Sequence, residues 1–153
     1  MKQKPLFTVD GETLTTTLLP PVRFVVEGFI PQGLHLLAGA SKIGKSWLAL
    51  WLCLQVAKGE KVWDFPSRSG DVLYLCLEDN YSRIQSRLLD ITDTAPGNLH
   101  FATASEKLRC GLEQQIQQFL AGHPHTVLVV IDTLQRVRGA GGDTNAYAND
   151  YRD

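Results

Sequence analysis

Continuous apolar runs and helically spaced apolar residues alternate along this chain. The runs at 72–77 and 127–131 are uninterrupted, which is typical of buried parallel strands, and a short, mostly apolar run at 34–38 predicts another strand. Helical spacing occupies the stretches between them, at about 44–58, 80–91 and 106–121. Strand–helix alternation of this kind predicts an α/β fold, a doubly wound and mostly parallel sheet flanked by helices, with ligands at the carboxyl ends of the strands.

Capping residues and turn residues define the ends of these elements. The first long helix carries apolar residues at i, i+3, i+4 and i+7, from Trp47 to Leu54, and Gly59 is its expected C-terminal cap. Asp79 or Asn80 can cap the second helix, and Ser105 the third. Two shorter strands are predicted, one at 23–30 with a turn at 31–33, and one at 98–102.

The chain has the length of one domain preceded by a polar arm. Residues 1–21 show no sustained periodicity and end in Leu18-Leu19-Pro20-Pro21, where two prolines interrupt any helix or ladder. The remaining 22–153 contain all the predicted strands and long helices. We therefore predict an N-terminal arm at 1–21 and a single domain at 22–153.

Composition excludes several classes of protein. The net charge of -1 gives no general attraction to nucleic acid or acidic lipid, so a DNA-binding surface would have to be local. Cys53, Cys76 and Cys110 lie far apart without zinc-ligand spacing, which indicates reduced thiols and a cytoplasmic protein. The most apolar run, 47–54, is far shorter than the ~20 residues that span a bilayer. No membrane association is expected.

The most informative stretch joins the first apolar run to the first long helix. It matches the phosphate-binding P-loop, G-x-x-x-x-G-K-[ST], with Gly39, Gly44, Lys45 and Ser46 in the required places. The glycines allow a close backbone approach to phosphate, and the helix start adds free N–H groups and the positive end of its dipole. Lys45 brings a positive charge to the β- and γ-phosphates, and the Ser46 hydroxyl is placed to bind Mg²⁺.

This motif predicts a nucleotide site along the whole loop. The residues expected to contact the nucleotide are Gly39, Ala40, Ser41, Lys42, Ile43, Gly44, Lys45, Ser46 and Trp47. The expected cofactors are ATP and Mg²⁺.

Two buried strands end in carboxylates. Asp132 follows four aliphatic residues, as a Walker B aspartate does, and is predicted to hold Mg²⁺ together with Ser46. Glu78 follows the 72–77 run and is predicted to act with Lys45 in catalysis by polarising the attacking water. Asp79 is the alternative base. A capping role for these carboxylates, without chemistry, stays open.

The chain resembles the RecA-like AAA-domain ATPases related to the RepA-type hexameric replicative helicases. The resembling segments are 25–33, the loop from Gly39 to Ser46 with the helix start at 47–50, the strand that ends in Leu77-Glu78-Asp79, 130–134 and 145–151. In this family's pattern Glu78 matches the catalytic glutamate on the strand after the P-loop helix.

The resemblance implies an ATP-hydrolysing domain of a DNA replication or repair helicase, working on single-stranded DNA in a homo-oligomeric ring. It also implies further strands after Asp153, one of which separates the P-loop strand from the Asp132 strand and carries a phosphate-sensing residue. We therefore expect a C-terminally shortened relative with an incomplete core, in which the arginine finger and sensor residues have no counterpart.

Two other functions remain to be weighed. A non-catalytic nucleotide-binding or interaction module would retain the loop but not turnover. A small-molecule P-loop kinase is disfavoured, because such kinases usually carry a glycine where this chain has Lys42, and because an arginine-rich lid is lacking in the sequence.

Overall fold

The computed structural model describes residues 6–138, which form an α/β fold of five helices and five strands within that range. The helices are α1 Gly11–Thr16, α2 Lys45–Lys58, α3 Tyr81–Ile91, α4 Leu112–Gly122 and α5 Leu134–Val137. The strands are β1 Phe24–Val26, β2 Ile30–Pro31, β3 Asp71–Cys76, β4 Leu99–Ala102 and β5 Thr126–Asp132. The predicted fold class is confirmed.

A parallel three-stranded sheet in the order β4-β3-β5 forms the centre of the structure. β3 is buried from Val72 to Cys76 because helices cover both of its faces. Val72, Tyr74 and Cys76 belong to the core cluster that contains α2, whereas Leu73 and Leu75 pack with Leu112 of α4 and Val137 of α5. This two-sided burial explains the continuous apolar run in the sequence.

Helix α2 has nearly the predicted bounds, and the predicted apolar face is buried except at its N-terminal end. Leu50, Cys53, Leu54 and Ala57 are buried against the sheet, whereas Trp47 is exposed. Gly59 ends the helix in the left-handed conformation, as predicted, and its N–H donates to the carbonyls of the last turn. The helix therefore lies along the sheet with its N-terminus at the carboxyl ends of the strands, where Tyr74 of β3 reaches the Ser46 carbonyl.

The predicted strand at 34–38 is wrong. Residues 34–40 have no regular secondary structure, and Leu34, Leu36 and Leu37 are 96%, 78% and 56% exposed. A strand requires a hydrogen-bonded neighbour, and none of the strands between residues 6 and 138 pairs with this segment. β5 is an edge strand of the described sheet, and it forms no backbone hydrogen-bond ladder with residues 34–38. The apolar pattern alone therefore did not place this segment in the core.

The third predicted helix begins later than expected. α4 starts at Leu112 after Gly111, whose φ of 131° is accessible to glycine, and Ser105 does not cap it. The six residues before Leu112 form a loop tied to the helix, in which the N–H of Glu106 donates to Gln115 and that of Arg109 to Glu113. Apolar residues at helical spacing also occur in this loop, so the sequence pattern does not reveal that the helix begins at Leu112.

The N-terminal region is more structured than its sequence suggested. α1 is fully exposed and capped by Asp10, whose side chain accepts a hydrogen bond from the Thr13 N–H. Residues 23–31 form an antiparallel hairpin, β1–β2, rather than one strand, because the chain turns at Gly28 with φ 69°. The division into an arm at 1–21 and a domain at 22–153 stays a prediction.

None of the helices between residues 6 and 138 combines the length and apolarity needed to cross a bilayer.

Close contact between the start of β3 and β5 yields a test of this fold. A methyl group at Gly70 would collide with the carbonyl oxygen of His125 and with the side chain of Val127. We expect Gly70→Ala to lower the free energy of unfolding by about 1–3 kcal/mol, measured by urea denaturation. Gly122→Ala, which adds the same methyl into open space at the end of α4, is the control and should not destabilise the protein. Equal stability of the two variants would contradict this packing.

Candidate nucleotide-binding site

The P-loop turns directly into α2. Gly44 is the N-cap residue and has φ 94° and ψ 14°, a left-handed conformation that glycine adopts without strain. Lys45 and Ser46 are therefore the first helical residues, and the N–H groups of this first turn have no partner within the helix. Free amides and the positive end of a helix dipole favour a bound phosphate here.

Lys45 lies across its own loop. Its Nζ donates to the carbonyl oxygens of Gly39 at 2.7 Å and Ala40 at 2.6 Å. An ammonium group has three donors, so these two bonds leave one for a phosphate oxygen. The loop thereby holds the positive charge at its centre.

The remaining loop residues are shaped by the same turn. Ser41, Lys42 and Ile43 are exposed, and Lys42 has φ 62°. A Cβ at Gly39 would stand 2.6 Å from the Cδ1 atom of Ile43, so the close packing of this loop suits glycine at that position. Trp47 is exposed and does not line the cavity; the guanidinium carbon of Arg87, which does, lies 5.6 Å from the centroid of its ring.

Asp132 ends β5 opposite Cys76 of β3, at the edge of the sheet where α2 begins. Its Oδ2 atom accepts a hydrogen bond of 2.8 Å from the hydroxyl of Tyr74, and that hydroxyl lies 3.4 Å from the carbonyl oxygen of Ser46. Ser46 and Asp132, the two predicted metal ligands, thus both contact one buried group. Burial, with the neighbouring Asp132 charge, raises the pKa of Tyr74, so the hydroxyl stays protonated and donates.

The functional environment of Tyr74 was not foreseen from the sequence. The available signal was a hydroxyl in the middle of an otherwise apolar strand, since a buried Tyr hydroxyl usually finds a hydrogen-bond partner. Which partner it finds depends on the register of β3 against β5, which no local pattern specifies.

The adjacent carboxylates Glu78 and Asp79 have different surroundings. Asp79 forms ion pairs with Arg87 and, at 3.1 Å, with Nε of Arg83, and its side chain is only 12% exposed. Glu78 is 54% exposed and pairs at 3.5 Å with Nε of Arg136. Because two arginines engage Asp79, Glu78 is the carboxylate more accessible to a reacting water.

One cavity of about 390 Å³ brings together Lys42, Ser46, Glu78, Asp79 and Asp132, whereas Lys45, Trp47 and the other predicted loop residues do not line it. Its lining comes from the loop, α2, β3, α3 and β5, and includes Lys42, Ser46, Tyr74, Glu78, Asp79 and Asp132. This volume falls in the range of about 300–1,000 Å³ that is usual for small-ligand sites. Three separate stretches of the sequence, 42–50, 74–87 and residue 132, thus meet at the carboxyl edge of the sheet.

A larger hollow, of about 590 Å³, lies between α3 and β4 and lacks this chemistry. Its lining includes Leu88, Leu89 and Phe101, and Asp93 is its one ionisable carboxylate. It contains no basic side chain that could hold phosphate. The chemistry of its lining therefore makes the smaller cavity the better candidate for the predicted nucleotide site.

The donor set suits Mg²⁺ better than a metal held by protein alone. Magnesium usually takes one or two carboxylates and completes its shell with waters and substrate phosphates. Ser46 and Asp132 provide such a set, and no cluster of three histidine, cysteine or acidic ligands occurs between residues 6 and 138. Cys53 and Cys76 are buried free thiols, and burial raises the pKa of Cys76 to about 12, so neither resembles a metal thiolate.

The segment 145–151, which carries part of the family resemblance, lies outside the residues that the structure describes.

No curated protein and no solved structure gives a significant match to the chain. A sequence profile described as an AAA domain matches residues 3–151, nearly the whole chain. With a P-loop at the carboxyl edge of a parallel sheet, this match shows that the chain belongs to the AAA domain family of P-loop ATPases.

Proposed function

We propose that this protein binds ATP with Mg²⁺ and hydrolyses it, as the RecA-like ATPase domain of a DNA replication or repair helicase of the RepA type. The observation that carries the proposal is the convergence of Ser46, Glu78 and Asp132 on one cavity beside the P-loop. Membership of the AAA domain family supports the ATPase part. The helicase part is supported by the sequence resemblance.

Each residue of the loop has a role in this proposal. The amides from Gly39 to Ser46 and the first turn of α2 hold the phosphates, and Lys45 neutralises charge on the γ-phosphate. Ser46 and Asp132 hold Mg²⁺, which would polarise the terminal phosphate. Trp47, the exposed residue that follows Ser46 in α2, would border the nucleotide.

Glu78 acts as the base. It orients a water whose oxygen attacks the γ-phosphorus while the bond from that phosphorus to the β–γ bridging oxygen breaks. The proton of the water passes to the Glu78 carboxylate, and ADP leaves with the former bridging oxygen. The Nε atom of Arg136 lies 3.5 Å from a Glu78 carboxylate oxygen, and this ion pair can orient the carboxylate.

DNA and ring assembly extend this proposal beyond the single chain. A net charge of -1 offers no general electrostatic attraction to DNA, so contacts would come from a local surface or from several subunits together. We propose single-stranded DNA as the polymer, a homo-oligomeric ring as the working form and the cytoplasm as the location.

A non-catalytic nucleotide-binding module is the second candidate. One observation favours it: the segment that leads into the P-loop, with Leu34 and Leu36 exposed, is not anchored in the sheet. A loop that is less firmly held could bind nucleotide without aligning it for attack. Steady turnover that depends on Glu78 would exclude this candidate.

Replacing Lys45 tests nucleotide binding. Loss of its charged hydrogen bonds to phosphate should weaken ATP binding about 10- to 100-fold in Lys45→Ala, measured by titration with a fluorescent ATP analogue. Lys107→Ala, which removes the same charge from an exposed position preceding α4, should bind as the wild type does. Unchanged affinity in Lys45→Ala would contradict the site.

Replacing Glu78 separates hydrolysis from binding. Glu78→Gln should bind ATP normally and lose at least about 100-fold of the turnover rate, because the amide cannot accept the proton. Phosphate release is the measurement. Glu60→Gln, an exposed acid just beyond the C-terminal end of α2, is the matched control. Turnover that survives in Glu78→Gln would assign the base elsewhere.

Single-stranded DNA tests the helicase part. We expect the rate of phosphate release by the wild type to rise when single-stranded DNA is added, because DNA held by the assembly would favour the hydrolytic arrangement. The same addition to Glu78→Gln should have no effect. A rate of phosphate release that does not change with single-stranded DNA would be consistent with an ATPase and would refute the helicase assignment.

A further inference from the structure

We propose that Tyr74 is a positioning residue for the metal, and that its hydroxyl fixes the Asp132 carboxylate relative to the first turn of α2. The inference rests on the proposed function, because it assigns Tyr74 to the same Mg²⁺ site. No motif in the sequence marks this residue.

The geometry is that of a link between two separate elements. Tyr74 lies on the central strand and is 3% exposed, and its hydroxyl donates to Oδ2 of Asp132 at 2.8 Å. The same oxygen is 3.4 Å from the carbonyl oxygen of Ser46. One buried atom therefore contacts the last residue of β5 and the second residue of α2, which are 86 positions apart in sequence (132 − 46).

The position of that hydroxyl is fixed by the core. The ring of Tyr74 belongs to the core cluster that contains α2 and packs against the partly buried Phe101 of β4, with ring centroids 6.1 Å apart. β3 pairs with β5 so that Tyr74 lies opposite Val130, two residues before the carboxylate it contacts. A side chain held on the central strand cannot shift without disturbing both neighbouring strands.

The hydrogen bond also divides the two oxygens of Asp132 between two tasks. Oδ2 is occupied by the tyrosine, whereas Oδ1 accepts no hydrogen bond from the residues between 6 and 138 and can take a cation or its bound water. A fixed donor behind a metal ligand sets the orientation of that ligand, and removing such a donor typically weakens metal binding by about 10- to 100-fold. Tyr74 thus aligns one ligand and holds the element that carries the other.

A purely structural role makes a different prediction. If the hydroxyl only satisfied a buried polar group, its removal would change stability and leave the metal dependence of nucleotide binding intact. The useful quantity is therefore the ratio of ATP affinities with and without Mg²⁺, measured on the same protein. Partial loss of folded protein affects both affinities and cancels in that ratio.

The experiment compares wild type, Tyr74→Phe and Tyr81→Phe, the last an exposed tyrosine at the start of α3. Titrations with a fluorescent ATP analogue are made in Mg²⁺ and in EDTA, and Mn²⁺ binding to the ATP complex is followed by electron paramagnetic resonance. We expect Tyr74→Phe to keep the metal-free affinity within about twofold and to lose about tenfold of the gain from Mg²⁺. Tyr81→Phe should retain the full gain.

A second route does not depend on the stability of Tyr74→Phe. In a protein whose only tyrosine is Tyr74, labelled with 3-fluorotyrosine, the fluorine signal should shift when Mg²⁺ is added to the ATP complex. Full retention of the Mg²⁺ gain in Tyr74→Phe, or a fluorine signal that ignores Mg²⁺, would overturn the inference alone. Failure of the wild type to bind nucleotide at all would overturn the proposed function and this inference with it.

Discussion

The two-sided burial of β3 is the constraint on which the rest of the described structure depends. Because helices cover both faces, every residue from Val72 to Cys76 is apolar or, in Tyr74, carries a single polar atom with a partner. The parallel pairing of β3 with β4 and β5 brings all three carboxyl ends to one edge. α2 packs on this sheet with its N-terminus at the same edge, so the free amides of its first turn and the carboxylates at the strand ends lie close together there.

The charged and polar groups of the candidate site are of two kinds: some are accessible to a ligand, and others hold neighbouring side chains in position. Asp79 is paired with Arg83 and Arg87, whereas its neighbour Glu78 is 54% exposed, pairs with Arg136 and lines the cavity. Lys45 and Tyr74 show the same distinction, one supplying charge over the loop and the other holding a carboxylate in place. These adjacent residues differ in role because, after the end of β3, the side chain of Asp79 is largely buried and that of Glu78 is exposed.

Local patterns predicted most of the fold correctly where each element carries its own signals. The bounds of α2, the Gly59 cap and the Asn80 cap of α3 follow from residues within or next to the helix, and the structure confirms them. The prediction was wrong at 34–38, where an apolar run has no partner strand among the described residues. It was also wrong at the start of α4, where Gly111 and not Ser105 begins the helix. A strand is a property of a pair, and one segment cannot specify its partner.

In the candidate site too, some features follow from local sequence and others depend on contacts between distant segments. The sequence by itself determined the phosphate loop, because glycine, lysine and serine at fixed spacing act within one turn of backbone, and it placed Glu78 and Asp132 at strand ends. Only the tertiary structure decided that Asp79 is taken up by two arginines and that Tyr74 bridges Asp132 and Ser46. Those contacts join residues from different elements. Their distances depend on strand register and on the packing of helices against the sheet, which no single stretch of sequence encodes.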